Sequence, residues 1–367
     1  AAVALVLYGY VGYPVLLALL ARRRARAVAT APVTPRVSVV VSVQNGAGVI
    51  GPKLENCLAL DYPADRLEVL VASDGSTDAT NDVVRGWPDA RVRLVPTEPR
   101  QGKEVAQRRA IEEATGEVLV FTDVGVRVEA AGLRALVANF ADPAVGCASG
   151  VDRVVNAAGE AVGEGAFVRY ETALKLLESR LGSTVGNSGW FFAVRRGLCD
   201  EWPAALASDF TMLLRTVKRG FRGVVEPRAV ASAVATVSPA REFQRKVRTI
   251  VRGLAVLAAH REMLNPLRYG FFAVQLASHK VFRWLLPLPL ASILVASAVL
   301  ATGSRFYLAL LAGQVLFYGA GALLPRTRIP HFFVSSSAAA MVAWWKFCMG
   351  ERFVVWEPTP RTHAAIR

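Results

Sequence analysis

Residues 67–80 read LEVLVASDGSTDAT. A run of aliphatic and β-branched residues reaches a polar cluster at Asp74, and a helix is expected beyond it. The same pattern recurs on both sides. VSVVVSV (37–43) is a β-branched strand that ends at Gln44-Asn45-Gly46. GVIGPKLENCLAL (48–60) has helical spacing through Ile50, Leu54, Cys57 and Leu58, and DYP (61–63) ends it. VRLVP (92–96) is a third strand, a helix covers 103–115 after RQGK, and EVLVFTD (117–123) is a fourth strand. This alternation predicts an α/β domain over residues 37–240, with a parallel sheet covered by helices. Ligands in such sheets bind beyond the carboxyl ends of the strands. Three strands here end in polar groups: Gln44-Asn45, Asp74 and Asp123. Neither common glycine-rich phosphate motif is present, and Asn45-Gly46 taken alone also suits a plain turn.

The flanks are different. The chain has 367 residues, 53% of them hydrophobic, and a formal net charge of +14. Its pI is near 10.1 and its mean hydropathy is +0.35. Basic and apolar together point to nucleic acid or to a bilayer with anionic headgroups. The hydropathy pattern selects the bilayer and excludes a nucleic acid polymer. Residues 1–21, AAVALVLYGYVGYPVLLALLA, carry no charge and are long enough to span a membrane. The cluster RRRAR follows at 22–26, which favours an anchor over a cleaved leader. By the positive-inside rule these arginines, the basic linker 22–36 and the domain after it are cytoplasmic.

Two further uncharged runs, 284–304 and 306–325, predict a transmembrane hairpin, and PRTR (325–328) returns the chain inside. Basic, interfacial helices are expected over 241–283, one of them at 266–280. His279, Lys280 and Arg283 would lie at headgroup level, with Trp284 as anchor. Residues 331–348 form either a re-entrant segment or a third C-terminal membrane helix, and 349–367 a cytoplasmic tail. Three spans are a thin basis for a self-contained channel, so export of a product calls for an oligomer or a partner. Cys57, Cys147, Cys199 and Cys348 lack metal-ligand spacing and read as small buried apolar residues.

The combination is more specific than its parts. VSVVVSVQN, LALDYPADRLEVLVASDGSTDAT, RQGK and VLVFTDV occur in this order, followed by GNSGWFFAVRRGL (186–198), SDFTMLLRTVKRGFRGVVEPRAVA (208–231), EFQRKVRTIVRGL (242–254), SHKVFRWLLP (278–287) and WEPTPR (356–361). This resembles family 2 glycosyltransferases of the GT-A (Rossmann-like) fold, in particular the membrane-bound, polysaccharide-synthase-like members. The resemblance implies an inverting enzyme in a bacterial inner or plasma membrane. It would move a sugar from a nucleotide-sugar, expected to be a UDP-sugar, to a carbohydrate or lipid-linked acceptor.

Roles follow residue by residue. Asp74 would accept hydrogen bonds from the base or ribose, its alternative being a helix N-cap or turn. Gln44 and Asn45 would line the base and ribose pocket, and Lys103 would approach the donor. Asp123 would hold ribose or a Mg²⁺ or Mn²⁺ ion on the diphosphate. Asp209 would be the general base, or else the N-cap of helix 210–220. Arg245, Arg248 and Arg252 share a helical face and would hold the diphosphate or lie on headgroups. Trp190 would stack on the acceptor sugar or pack in the core. Trp356 and Arg361 match the family's ending.

Four positions depart from the family. Gly46 stands where an acid is usual, Gly125 replaces the second metal carboxylate, and Ser208 replaces the first acid before Asp209. The Gln-x-x-Arg-Trp motif of processive members is absent, with Arg245 and Thr249 in its outer positions. These losses weaken the metal expectation. They also keep open a second class, a decayed homologue serving as a binding or scaffold subunit of a polysaccharide assembly complex.

Overall fold

The computed structural model describes residues 1–156, 158–160, 166–202, 204–234, 238–324, 328–351 and 353. The chain divides into two compact units, one of Ala1–Leu19 with Ser238–Phe353 and one containing Leu20–Val237. In chain order, α1 (Ala2–Leu7) and α2 (Tyr13–Arg24) precede β1 (Val37–Val43), α3 (Ala47–Leu58), β2 (Leu67–Asp74), α4 (Thr80–Arg85), β3 (Val92–Thr97) and α5 (Lys103–Glu113). Then come β4 (Val118–Asp123), β5 (Arg127–Val128), α6 (Gly132–Val137), β6 (Val145–Val155), α7 (Ala166–Leu181), β7 (Phe191–Arg195), α8 (Ser208–Lys218) and β8 (Arg222–Val234).

The strands make one eight-stranded sheet in the order β3-β2-β1-β4-β7-β6-β8-β5. β3, β2, β1 and β4 run parallel, and β7 is antiparallel to β4. The alternation within VSVVVSV explains how helices cover both faces. Val37, Val39, Val41 and Val43 pack with Ile50, Leu54 and Cys57 of α3 on one face. Val40 packs with Leu70, Ala106 and Ala110 on the other, beneath α5. Ser38 and Ser42 share that second face and are satisfied by Glu68 and Gln107 respectively. β1 lies between β2 and β4, so chain order reverses there, and the crevice beyond its carboxyl end is where such sheets take ligands.

The basic stretch after α2 is laid along this unit without regular secondary structure. Arg26 N–H donates to Arg180 O, and Tyr62 Oη donates to Pro35 O. The buried Arg222 guanidinium donates to the carbonyls of Arg26, Ala27, Ser179 and Gly182. Burial lowers its pKa, with Arg26 acting in the same sense and Asp142 opposing.

The other unit is helical: α9 (Pro239–Ala259), α10 (Pro266–Tyr269), α11 (Phe271–Leu276), α12 (Phe282–Leu285), α13 (Pro287–Leu300), α14 (Arg305–Leu323) and α15 (Arg328–Cys348). Val247 and Val251 of α9 pack on Ala339 and Ala343 of α15. Among the described residues two helices are long and apolar enough to cross a membrane, Ala2–Arg24 and Arg305–Leu323. α13 has 14 residues, about 21 Å at the helical rise. It qualifies only together with Phe271–Leu285, from which it bends by 50°.

Three expectations change here. The helix expected at 266–280 is broken at Gly270, whose φ is +54°, and residues Ala277–Val281 form a π-turn. His279 is buried near the Tyr13 ring instead of standing at a headgroup surface. Residues 331–348, expected as either a re-entrant segment or a third membrane helix, lie in the 21-residue helix α15. Cys348, at its end, is exposed, unlike the buried Cys57, Cys147 and Cys199. Residues 325–327, Trp356 and Arg361 lie outside the described residues.

Candidate active site

The carboxyl ends of β1, β2 and β4 are bound into one edge by the segments that follow them. Asn45 leaves β1 with a left-handed φ of +49°. Its Oδ1 accepts from Thr77 N at 2.8 Å, and its own N–H donates to Ser76 Oγ at 3.1 Å. Gly46 N donates to Thr80 Oγ1 at 2.8 Å, and Ala47 N to Asp78 Oδ2 at 3.0 Å. The DGSTDAT segment therefore caps the start of α3 from a neighbouring connection, a role of Asp78 that the sequence reading missed. Burial works to raise the Asp78 pKa, but hydrogen bonds from Thr80 and from the Ala47 amide outweigh it and hold the carboxyl low.

Asp74 is 1% exposed. Its Oδ1 accepts from Gln101 N at 2.8 Å and Gly102 N at 2.9 Å, and its Oδ2 from Gly102 N at 3.0 Å. It is thus neither a helix N-cap nor an outward carboxylate, but the anchor of the RQG loop. That loop presses close: a Cβ on Gly75 would lie 2.6 Å from Arg100 Cβ. The anchored loop sets the start of α5, so Lys103 reaches back to β4. Lys103 Nζ is 2.5 Å from Asp123 Oδ1, with side chains 11% and 19% exposed.

Asp123 begins a tight turn, closed by Val126 N donating to Asp123 O at 3.1 Å. Val124 N donates to Ser42 O, which ties the turn to β1. Beneath it lies Lys53, 3% exposed. Its Nζ donates to Val126 O at 2.6 Å and to Thr122 Oγ1 at 3.1 Å. No motif marked Lys53. The available signal was position: it shares a helical face with Ile50, Leu54 and Cys57, all buried.

The catalytic candidate comes from across the sheet. Thr122 of β4 pairs with Phe191 of β7, so the GNSGW loop entering β7 meets the same edge. Ser188 N donates to Ser149 Oγ at 2.6 Å, and Ser188 Oγ donates to Asp152 Oδ1 while accepting from Trp190 N. Asn187 Nδ2 donates to Asp209 O at 3.1 Å, fixing the start of α8. A Cβ on Gly189 would lie 3.4 Å from Asp209 Oδ2. Asp209 is in the first turn of α8 but is not its cap, a position held by Ala207. Trp190 is half-buried against the core cluster. Gln44 is half-buried at the end of β1. Arg245, Arg248 and Arg252 lie on α9 in the helical unit, where Arg245 pairs with Glu242 at 2.6 Å.

Among the described residues no three His, Cys, Asp or Glu side chains converge as a metal-holding group. Gly46 and Gly125 contribute no ligand side chain, and Asp123 is already in an ion pair. The donor set fits a divalent ion only as one carboxylate sharing it with oxygens brought by a substrate.

The family model for glycosyl transferase family 2 matches residues 38–202, a stretch that holds β1 to β4, the Asp123 turn and the GNSGW loop. The domain belongs to glycosyltransferase family 2. Among curated proteins, the chain is 29% identical over 215 residues to the probable glycosyltransferase YdaM of Bacillus subtilis, covering 53% of this chain and 50% of that protein. It is 30% identical over 116 residues to the beta-monoglucosyldiacylglycerol synthase of a Synechocystis strain, covering 30% of this chain and 24% of that one. It thus spans half or less of these relatives' length. The mannosyltransferase PcManGT of Pyrobaculum calidifontis, solved in complex with GDP-Man and Mn²⁺, is similar over 96% of this chain and 99% of its own. The TM-score is 0.76 and the identity 28%. The sheet of this family 2 domain is of the GT-A type.

Proposed function

We propose that this chain is an inverting membrane glycosyltransferase that moves a sugar from a nucleoside diphosphate sugar to a hydroxyl of a carbohydrate or lipid-linked acceptor. One observation carries the reading. The Asn45 turn and the Lys103–Asp123 pair lie at the carboxyl ends of the adjacent strands β1 and β4, and the GNSGW loop beside Asp209 leads into β7, the next strand of the sheet.

In this reading Gln44 and Asn45 border the base and ribose, and Asp74 positions Lys103 through the RQG loop. Lys103 offsets charge gathering on the diphosphate as its bond to sugar C1 breaks. The acceptor oxygen attacks C1 from the opposite side, and its proton passes to Asp209. The bonding pair leaves with the nucleoside diphosphate, and one inverted glycosidic bond replaces it. A Mg²⁺ or Mn²⁺ ion would be held by Asp123 and would neutralise the leaving diphosphate. Trp190 borders the acceptor side, and the α9 arginines serve the diphosphate or lipid headgroups.

The sequence resemblance supports a uridine donor and the likeness to the Pyrobaculum enzyme a guanosine donor, so the base is read by experiment. The two apolar helices and the arginines after the first support an integral membrane protein with its catalytic domain on the cytoplasmic side. Export of the product by this chain would call for an oligomer or a partner, given the small number of apolar helices among the described residues. The test is nucleotide release from a panel of UDP- and GDP-sugars in purified membranes, with and without Mn²⁺. Release with one sugar supports the enzyme. A chain that neither binds UDP or GDP at millimolar concentration nor releases either is the decayed scaffold.

A further inference from the structure

We propose that Lys53 is a positioning residue for the donor diphosphate, a fixed ammonium under the β4 turn that shapes the turn and supplies positive potential to it. The proposal rests on the donor reading above.

Lysine is almost never fully buried without partners, because removing an ammonium from water is costly. Lys53 is nevertheless 3% exposed, on the core face of α3 beside Leu54 and Cys57. A methionine would fill similar volume without that cost, so packing does not explain the amine. Its hydrogen bonds do. Val126 O, at 2.6 Å, and Thr122 Oγ1, at 3.1 Å, bracket the three residues Asp123, Val124 and Gly125. The amine thus pins both ends of the turn that carries the donor-side carboxylate. Burial lowers its pKa, while the charge of Asp123 acts the other way.

Asp123 is therefore set between two amines. Lys103 contacts it directly from α5, and Lys53 acts through the turn from α3. The lysine below cannot swing into solvent, because its acceptors lie inside the fold. Its charge is held in place before any ligand arrives, and preorganised charge in a poorly hydrated site acts strongly. A turn that lacks its second acid thus keeps a defined shape and favours an arriving anion.

The test is calorimetric binding to the purified full chain of UDP and GDP, each beside its own nucleoside. Lys53→Gln keeps donor hydrogens for Val126 O and removes the charge; Lys53→Met removes both. For the nucleotide that binds, both variants are expected to weaken the diphosphate about tenfold, the scale of one unit charge acting across some ten ångströms of protein. Nucleoside affinity should change less than twofold. A purely structural lysine would weaken nucleoside and diphosphate alike, and that result overturns the proposal. So does a Lys53→Gln chain that binds the diphosphate as the wild type does. Absence of any binding by the wild type overturns the donor reading, and this proposal with it.

Discussion

Lys103 Nζ and Asp123 Oδ1 are 2.5 Å apart across the gap between α5 and β4. An ammonium and a divalent cation cannot both take that carboxylate at full strength, so the pair sets a competition. Lys103→Met should weaken nucleoside diphosphate binding about fivefold, as expected for loss of a partly exposed charge. It should raise Mn²⁺ affinity at the same time. Titration of free Mn²⁺ by electron paramagnetic resonance reads the second effect. Equal Mn²⁺ binding in both chains would show that Asp123 is not a metal ligand.

Gly125→Asp should also raise Mn²⁺ affinity by restoring a second carboxylate to the turn. The other missing acid behaves differently. A Cβ on Gly46 would lie 2.6 Å from Val43 Cγ2, inside the packed end of β1. Gly46→Glu should cost about 1–3 kcal/mol of stability through overpacking, measured by chemical denaturation. A neutral Gly46→Glu would mean that Val43 yields more easily than its packing implies.

Asp209→Asn should lower turnover by about 10²–10⁴-fold, the usual contribution of a general base. Its UDP or GDP affinity should stay close to that of the wild type, because the side chain faces the GNSGW loop instead of the Lys103–Asp123 pair. Unchanged turnover removes Asp209 from the mechanism.

Glu68 on β2 accepts from Ser38 and from the amide and hydroxyl of Thr115, with Arg93 nearby. Burial alone would raise its pKa, but these partners bring it below its ordinary 4.5. A depressed carboxylate adds stability above its unfolded pKa and loses it as the pH falls through the folded value. Stability should therefore drop on acidification below about pH 4.5. Glu68→Gln should flatten that part of the curve, followed by denaturation midpoints at successive pH values. Parallel curves for the two chains would show that the loss comes from other groups.

The periodic elements were legible because each reports its own surroundings. The alternation of strands with helices predicts a parallel sheet covered by helices, and the spacing from Ile50 to Leu58 predicts α3. Partnerships between distant segments were not legible. Asp74 reads from the sequence as a donor-side acid, and its hold on the RQG loop some 27 positions later was not legible. Lys53 looks like a solvated lysine unless its place on the apolar stripe outweighs its charge. Asp209 reads as general base or as N-cap, and the structure has Ala207 at the N-cap position. The apolar helical flank was legible by composition. Its bends were not read, although they fall at Gly270, whose φ is +54° with open space around it, and at Pro287, the first residue of α13.

The grip of Arg222 on Arg26 and Ala27 has a consequence for change in this chain. It holds main-chain oxygens, which every amino acid supplies alike. Substituting those two residues should therefore be tolerated, whereas inserting or deleting one beside them would shift both oxygens out of reach. The joint behind the domain is thus sensitive to length and nearly blind to spelling.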